Sequence, residues 1–216
     1  MGLFCCHNNL SVPVFYILLY IKIHLVEKEV YRLIRIYFGK SAAGKDTYLK
    51  RCVACGMKPI VSFTTRPMRK GEVNGVDYNY ITREEFLSLA EEGELAEVRS
   101  YETSVGGKAD TWYYGTPIVE PNEDDYVVVL DLEGIVTYEY TYGPTNLELI
   151  FVDTDDEIRR DRAQMRGSFD ESEWNRRLAD DNKKFSLENI RALKTLFGQP
   201  VSVINNSGLR PTFSRI

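Results

Sequence analysis

The chain has 216 residues, enough for one α/β domain or one core carrying small inserted subdomains. Apolar residues make up 44% and charged residues 27%, which excludes a mostly disordered, collagen-like or polytopic membrane chain. The net charge of −5 supplies no general positive field for gathering nucleic acid, but it leaves room for a phosphorylated small molecule held by a local arginine cluster.

Residues 1–30 differ from the rest of the chain. Val12–Val26 reads VPVFYILLYIKIHLV, which is apolar but interrupted by Lys22 and His24. It falls short of the roughly 20 apolar residues of a membrane helix. MGLFCCHNNL has no basic residue of the kind a secretory signal needs. Gly2 with Cys5 and Cys6 hints at a lipid anchor, but Cys6 stands where Ser or Thr is wanted. The segment is read as an atypical extension from a translation start placed too early, with no stable membrane span. Four cysteines, two adjacent, make no disulfide framework, so a reducing, cytoplasmic setting is expected.

Leu33–Phe38 predicts a strand, then a glycine-rich turn and a helix from about Gly44 to Ala54, with Gly56 as its C-cap. Ile60–Phe63 predicts a second strand, residues 64–75 a loop, and Tyr78–Ile81 a third strand. Thr82 and Glu85 form a capping box for a helix ending near Gly93. Tyr126–Leu130 and Leu147–Val152 read as buried parallel strands. Charged helices are predicted over Asp155–Met165 and from Glu171 to about Phe197, with a last strand at Val201–Ile204. Strands alternating with helices imply an α/β fold with helices on both faces of a parallel sheet. Cys52 and Cys55 lack a second pair at zinc-site spacing and read as a helical i, i+3 pair in the core.

Gly39-Lys40-Ser41-Ala42-Ala43-Gly44-Lys45-Asp46-Thr47 nearly matches the phosphate-loop pattern, placed as it must be between a strand and a helix. Its glycines let successive N–H groups face phosphate oxygens, and the helix adds its positive N-terminus. Lys45 supplies a point charge. Asp46 stands where the metal-binding hydroxyl is expected and Thr47 comes next, so Thr47 is the candidate Mg²⁺ ligand. Asp131, at the carboxyl end of a central strand, could orient water around that metal; a helix N-cap is the alternative. Arg66 and Arg69, beside Ser62 and Tyr78, suit bidentate phosphate binding or a solvated basic loop.

The phosphate loop, TTRPMRKGEVNGVDY, Tyr113-Tyr114-Gly115-Thr116 and the LDLEG stretch at 130–134 together resemble guanylate kinases, over about Leu33 to Asn205. The resemblance implies a P-loop NTPase three-layer core over 31–63, 117–155 and 181–216. A GMP-binding subdomain would span 64–116 and a helical lid 156–180. It implies phosphoryl transfer from MgATP to GMP, with no nucleic acid partner. Ser62, Arg66, Arg69, Tyr78 and Tyr114 would hold the GMP phosphate. Glu97, Thr116, Asp131 and Glu133 would face guanine. Gly39, Ser41, Ala42, Ala43, Gly44, Lys45, Asp46, Thr47 and Asn205 would serve ATP. Lys45, Arg162, Arg166 and Arg177 would stabilise the transferring phosphoryl, while Arg159 and Arg160 read as helix-surface ion-pair partners.

Physical chemistry supports the base assignment. A carboxylate facing N1–H and the 2-amino group of guanine accepts two hydrogen bonds, whereas adenine presents an acceptor there. Departures are visible too. Ala42 replaces a loop glycine, Glu133 carries one methylene more than the family aspartate, and Thr103–Thr111 is extra length, read as a hairpin tip with Gly106 and Gly107. Residues 117–125 are too few for a full core helix. The alternatives are a catalytically weak phospho-ligand binding module and a kinase of another nucleoside or deoxynucleoside monophosphate.

Overall fold

The computed structural model describes residues 33–69, 71–105, 108–120, 124–165, 169–208 and 211–215. The chain divides into units of residues 1–31 and 32–216. The readings made for residues 1–30, and those for Arg166, Gly106 and Gly107, lie outside the described residues. No helix among the described residues is long and apolar enough to cross a membrane.

A six-stranded sheet carries the second unit. Its strands are β1 (Ile34–Phe38), β2 (Lys58–Pro59), β7 (Tyr126–Val129), β8 (Leu147–Asp153), β9 (Ser202–Asn205) and β10 (Thr212–Arg215), in the order β10-β9-β8-β1-β7-β2. All neighbours run parallel except β9 and β10. Strand alternation sorts the side chains. Ile34, Ile36 and Phe38 join one apolar cluster, while Tyr37 joins the other. Helix α1 (Lys45–Ala54) covers the Tyr37 side through Tyr48 and Cys52. Helices α3 (Leu132–Tyr142) and α6 (Leu187–Phe197) cover the opposite side through Ile135, Tyr138, Ile190, Leu193 and Phe197. The result is the three-layer α/β arrangement expected.

A second sheet holds β3 (Phe63–Thr64), β4 (Asn79–Tyr80), β5 (Leu95–Val105) and β6 (Lys108–Pro117) in the order β4-β3-β6-β5. Helix α2 (Arg83–Glu91) starts at Thr82, where the capping box forms as read. Its Phe86 is fully buried; a methyl group at Gly115 would stand 2.9 Å from the Phe86 ring and 2.7 Å from Leu95. Gly115 is thus required by close packing rather than by backbone angle.

Several boundaries differ from expectation. The strand expected at Ile60–Phe63 is two short strands in different sheets, because the chain leaves one sheet for the other at Ile60–Ser62. The helix expected from Glu171 to Phe197 is two, α5 (Glu171–Lys184) and α6. Ser186 accepts the Asn189 N–H and starts a new helix, a local cap that apolar periodicity does not reveal. Strand β10 was not foreseen, and helix α3 was read only as the alternative role of Asp131, a helix N-cap. LEGIVTYEYTY is rich in β-branched and aromatic residues, and tertiary packing of Ile135 and Tyr138 overrides that propensity. Cys52 is buried, but Cys55 is exposed past the end of α1, so they are not a core pair. The extra length at 103–111 is a hairpin, with β5 and β6 paired out to Val105 and Lys108.

Candidate active site

The phosphate loop sits between β1 and α1. Gly39 has φ 139, and a Cβ there would lie 2.5 Å from the Val152 carbonyl oxygen, so only glycine fits against β8. Gly44 has φ 98 and a Cβ would meet Asn206 Nδ2 at 2.9 Å. Ala42 departs from a usual glycine yet keeps φ 58, the left-handed region that costs a residue with a side chain about 1–2 kcal/mol. Lys45 Nζ donates to the carbonyls of Gly39 (2.8 Å) and Lys40 (2.9 Å), which hold it across the loop.

Three side chains from later in the chain converge on the Ala43 carbonyl of this loop. Arg162, on α4 (Asp156–Met165), donates to the Ala43 carbonyl at 3.0 Å. Asn206 donates to the same carbonyl at 2.9 Å and accepts from Tyr48 at 3.1 Å. Thr154 donates to it at 2.9 Å. The neighbouring Asn205, the residue singled out from the sequence, instead accepts the Ser207 N–H at 3.0 Å. The last turn of β9 exposes Asn205 and points its successor inward, a one-residue distinction that strand alternation alone leaves open.

Arg159 is a correction. The sequence suggests a helix-surface partner, but the residue is fully buried. Its guanidinium donates to the Ser41 carbonyl (2.9 Å), Asp181 (3.0 Å) and Asp156 (2.7 Å), and it lies 5.4 Å from the Trp174 ring centroid. Asp181 in turn accepts the Ser41 N–H at 2.8 Å. Two helices, α4 and α5, thereby grip the two peptide groups on either side of Ser41. The signal was present as Arg159 and Asp181, but each lies in a charge-rich helix where surface pairing is the usual outcome. Arg160 is an exposed partner as read, to Glu171 at 2.7 Å. Arg177 lies 44% exposed and donates to Glu173 on its own helix at 2.6 Å.

The second sheet presents two further groups. In the first, Arg66 is 4% exposed and donates to both oxygens of Glu72, at 2.9 and 3.0 Å. Tyr80 (2.6 Å) and the Arg69 N–H (2.7 Å) also donate to Glu72. The rings of Tyr78 and Tyr80 flank the Arg66 guanidinium at 5.6 and 5.7 Å, and Tyr78 packs edge-on to Tyr114 at 5.8 Å. Burial raises the Tyr78 hydroxyl to about 12, so it remains a donor at neutral pH. Burial also raises the Glu72 carboxyl, but the hydrogen bonds from Arg66, Tyr80 and the Arg69 backbone outweigh it and hold it at about 2. Arg69 itself is exposed. Glu72 was not singled out from the sequence; its place three residues past Arg69 was the available sign.

In the second group, Ser62 lies 2.9 Å from Thr116, which donates to Glu97 at 2.8 Å. Glu97 is 8% exposed, and burial raises its pKa while Thr116 and Arg99 oppose that rise. Arg99 joins Glu97 to Asp131 and Glu133. Asp131 is the N-cap of α3, accepting the Gly134 N–H at 3.0 Å, and it also accepts from Arg99 (2.9 Å) and Tyr101 (3.3 Å). Both of its oxygens therefore accept hydrogen bonds, and the helix N-cap given as the alternative for this residue is formed. Asp46 and Thr47 are exposed oxygen donors on the first turn of α1. They fit a hard cation such as Mg²⁺, which takes one or two protein ligands beside phosphate oxygens.

The arrangement thus offers a cradle for a polyphosphate, a buried arginine with tyrosines for a second phosphate, and a carboxylate edge for paired N–H donors. A family model described as guanylate kinase matches residues 34–189. The chain belongs to the guanylate kinase family. The guanylate kinase of Lactobacillus delbrueckii subsp. bulgaricus is 32% identical over 160 residues, covering 70% of this chain and 74% of that protein. That of Streptococcus agalactiae serotype III is 42% identical over 94 residues, or 42% of this chain and 41% of that protein. The match therefore spans less than half of the streptococcal protein. A crystal structure of guanylate kinase from Anaplasma phagocytophilum aligns with TM-score 0.46 at 22% identity, covering 76% of this chain and 93% of that chain.

Two outcomes are expected for this guanylate kinase family chain. Arg159→Met leaves the buried Asp181 carboxylate without its cation and is expected to cost about 3–5 kcal/mol in a denaturant titration. Adding Asp181→Leu recovers most of that loss, less about 1–3 kcal/mol for the Ser41 N–H left without an acceptor. The second outcome concerns pH. The folded-state pKa of Glu72 is depressed, so its stabilisation is present above the ordinary carboxylate pKa and fades as pH falls toward about 2. The melting-temperature gap between wild type and Glu72→Gln should be full at pH 6 and shrink steadily below about pH 4.5.

Proposed function

We propose that the chain is a guanylate kinase, transferring the γ-phosphoryl of MgATP to GMP to give ADP and GDP. The observation that carries this is the Ser62–Thr116–Glu97 chain of hydrogen bonds, on the same small sheet as the Arg66–Tyr78–Tyr114 group. A ligand spanning both must offer paired donors at one end and a phosphate at the other, which is the description of GMP. In this reading, Glu97 accepts from N1–H and the 2-amino group. Thr116 serves the 6-oxo side, and Ser62, which the resemblance assigns to the phosphate, is read here with Thr116 because the two hydroxyls lie 2.9 Å apart. Asp131 and Glu133 flank the base edge. Arg66, Arg69, Tyr78 and Tyr114 take the phosphate.

The donor phosphates lie along residues 39–47, with backbone N–H groups and Lys45 facing them. Lys45 exchanges its loop carbonyls for phosphate oxygens. Asp46 and Thr47 would hold Mg²⁺, which neutralises phosphate charge when bound. Residues 156–180 serve as a lid whose Arg162, already seated on the loop, brings positive charge to the transferring group; Arg166 and Arg177 supplement it. Closure excludes water, which would otherwise compete as acceptor. A GMP phosphate oxygen attacks the γ-phosphorus in line, the bond to the β–γ bridging oxygen breaks, and ADP leaves with that electron pair.

The test is a coupled ADP-release assay with MgATP and GMP, dGMP, AMP, UMP or CMP in turn. Turnover confined to guanine nucleotides and reduced at least about a hundredfold in Lys45→Ala is expected. Binding of GMP with no turnover for any acceptor would instead mark a binding module.

A further inference from the structure

Arg99 has no part in the proposed phosphoryl transfer. It stands two residues beyond Glu97 on β5, so both side chains leave the same face of the strand. Its side chain is 11% exposed and meets three carboxylates. Nε lies 3.1 Å from Glu97 Oε2, and Nη1 lies 2.9 Å from Asp131 Oδ2 and 2.6 Å from Glu133 Oε2. Nη2 lies 2.6 Å from Asp131 Oδ1, a charge contact whose angle makes no hydrogen bond.

This one cation faces three acids, so the cluster keeps surplus negative charge that drives its members apart when the cation is removed. Asp131 is fixed independently, as the cap of α3. Glu97 is not. Its carboxylate plane is held by Thr116 on Oε1 and Arg99 on Oε2. The neighbour on α3 is Gly134, which puts no side chain against it; a Cβ there would stand at contact distance, 3.4 Å from Glu97 Oε2. Arg99 therefore ties a mobile acceptor to a rigid one through its planar fork.

We propose that Arg99 is a positioning residue for base discrimination: by bridging Glu97 to Asp131 it fixes the plane of the Glu97 carboxylate. This rests on GMP being the acceptor. A carboxylate held in place meets the N1–H and 2-amino donors of guanine squarely and faces the N1 acceptor of adenine without escape. A carboxylate free to turn loses part of the first contact and relieves part of the second repulsion. Removing Arg99 therefore weakens GMP and lets AMP approach it in affinity.

Arg99→Met and Arg99→Lys in the full chain test this, using calorimetric dissociation constants for GMP and AMP beside the ADP-release assay. Arg99→Met is expected to raise the GMP constant about tenfold and narrow the AMP-to-GMP ratio by a similar factor, with kcat at saturating GMP within about threefold of wild type. Arg99→Lys keeps the charge without the fork and should restore part of the ratio. An unchanged ratio in folded Arg99→Met overturns the inference, as does a large kcat loss at unchanged GMP affinity. Should Arg99→Met not fold, Arg99→Lys decides: wild-type affinity and ratio overturn the inference, and a weaker GMP constant with a narrowed ratio supports it. Wild-type protein without GMP turnover overturns the underlying reading and this inference with it; wild-type turnover with an unchanged ratio overturns this inference alone.

Discussion

Each buried or half-buried cation needs a partner that holds it in place, and the kind of partner, carbonyl or carboxylate, decides whether it can be released to a ligand; this constraint organises the chain. Lys45 rests on two loop carbonyls, Arg162 on the Ala43 carbonyl, Arg66 on Glu72 and Arg99 on Glu97, Asp131 and Glu133. Carbonyl partners release easily to a phosphate, because a charge-assisted bond replaces a weaker one. Carboxylate partners do not, so Arg66 and Arg99 are fixed groups around which ligands arrange themselves. Readily released cations are thereby confined to Lys45 and Arg162 at the phosphate loop, where the proposed transfer needs them.

The Arg159–Asp181 pair extends the same logic to the backbone. It holds the backbone on both sides of Ser41, the carbonyl through Arg159 and the N–H through Asp181. Of the loop's small residues, Ala43 packs into an apolar cluster, while Ser41, Ala42 and Gly44 are only half-buried. A buried ion pair is a weak source of net stability, but it specifies geometry, since either member alone is costly. Helices α4 and α5 are consequently built onto this loop.

Much of this was legible in the sequence, for identifiable reasons. Strand alternation at Ile34, Ile36 and Phe38, the capping box at Thr82, and the glycines at 39 and 44 each encode their structure locally. The pairing of Thr116 with Glu97 was reachable only through family resemblance, and Ser62 joining them was not, since the resemblance grouped Ser62 with the phosphate residues. What stayed hidden depends on tertiary pairing. Arg159 and Asp181 look like ordinary surface charges until α4 and α5 pack against the loop. Asn206 differs from Asn205 only by which way the chain leaves β9. Ser186 starts a helix inside what reads as one continuous charged segment, and α3 forms against its own propensity because Ile135 and Tyr138 are needed in the core.

The most direct test of the account is to follow the phosphorus itself. Phosphorus-31 NMR of the wild-type chain with MgATP and GMP should show the α and β resonances of GDP growing in step with ADP, with no inorganic phosphate. Inorganic phosphate accumulating without GDP would show that water, not the bound nucleotide, receives the phosphoryl group, and would contradict the account of the acceptor site.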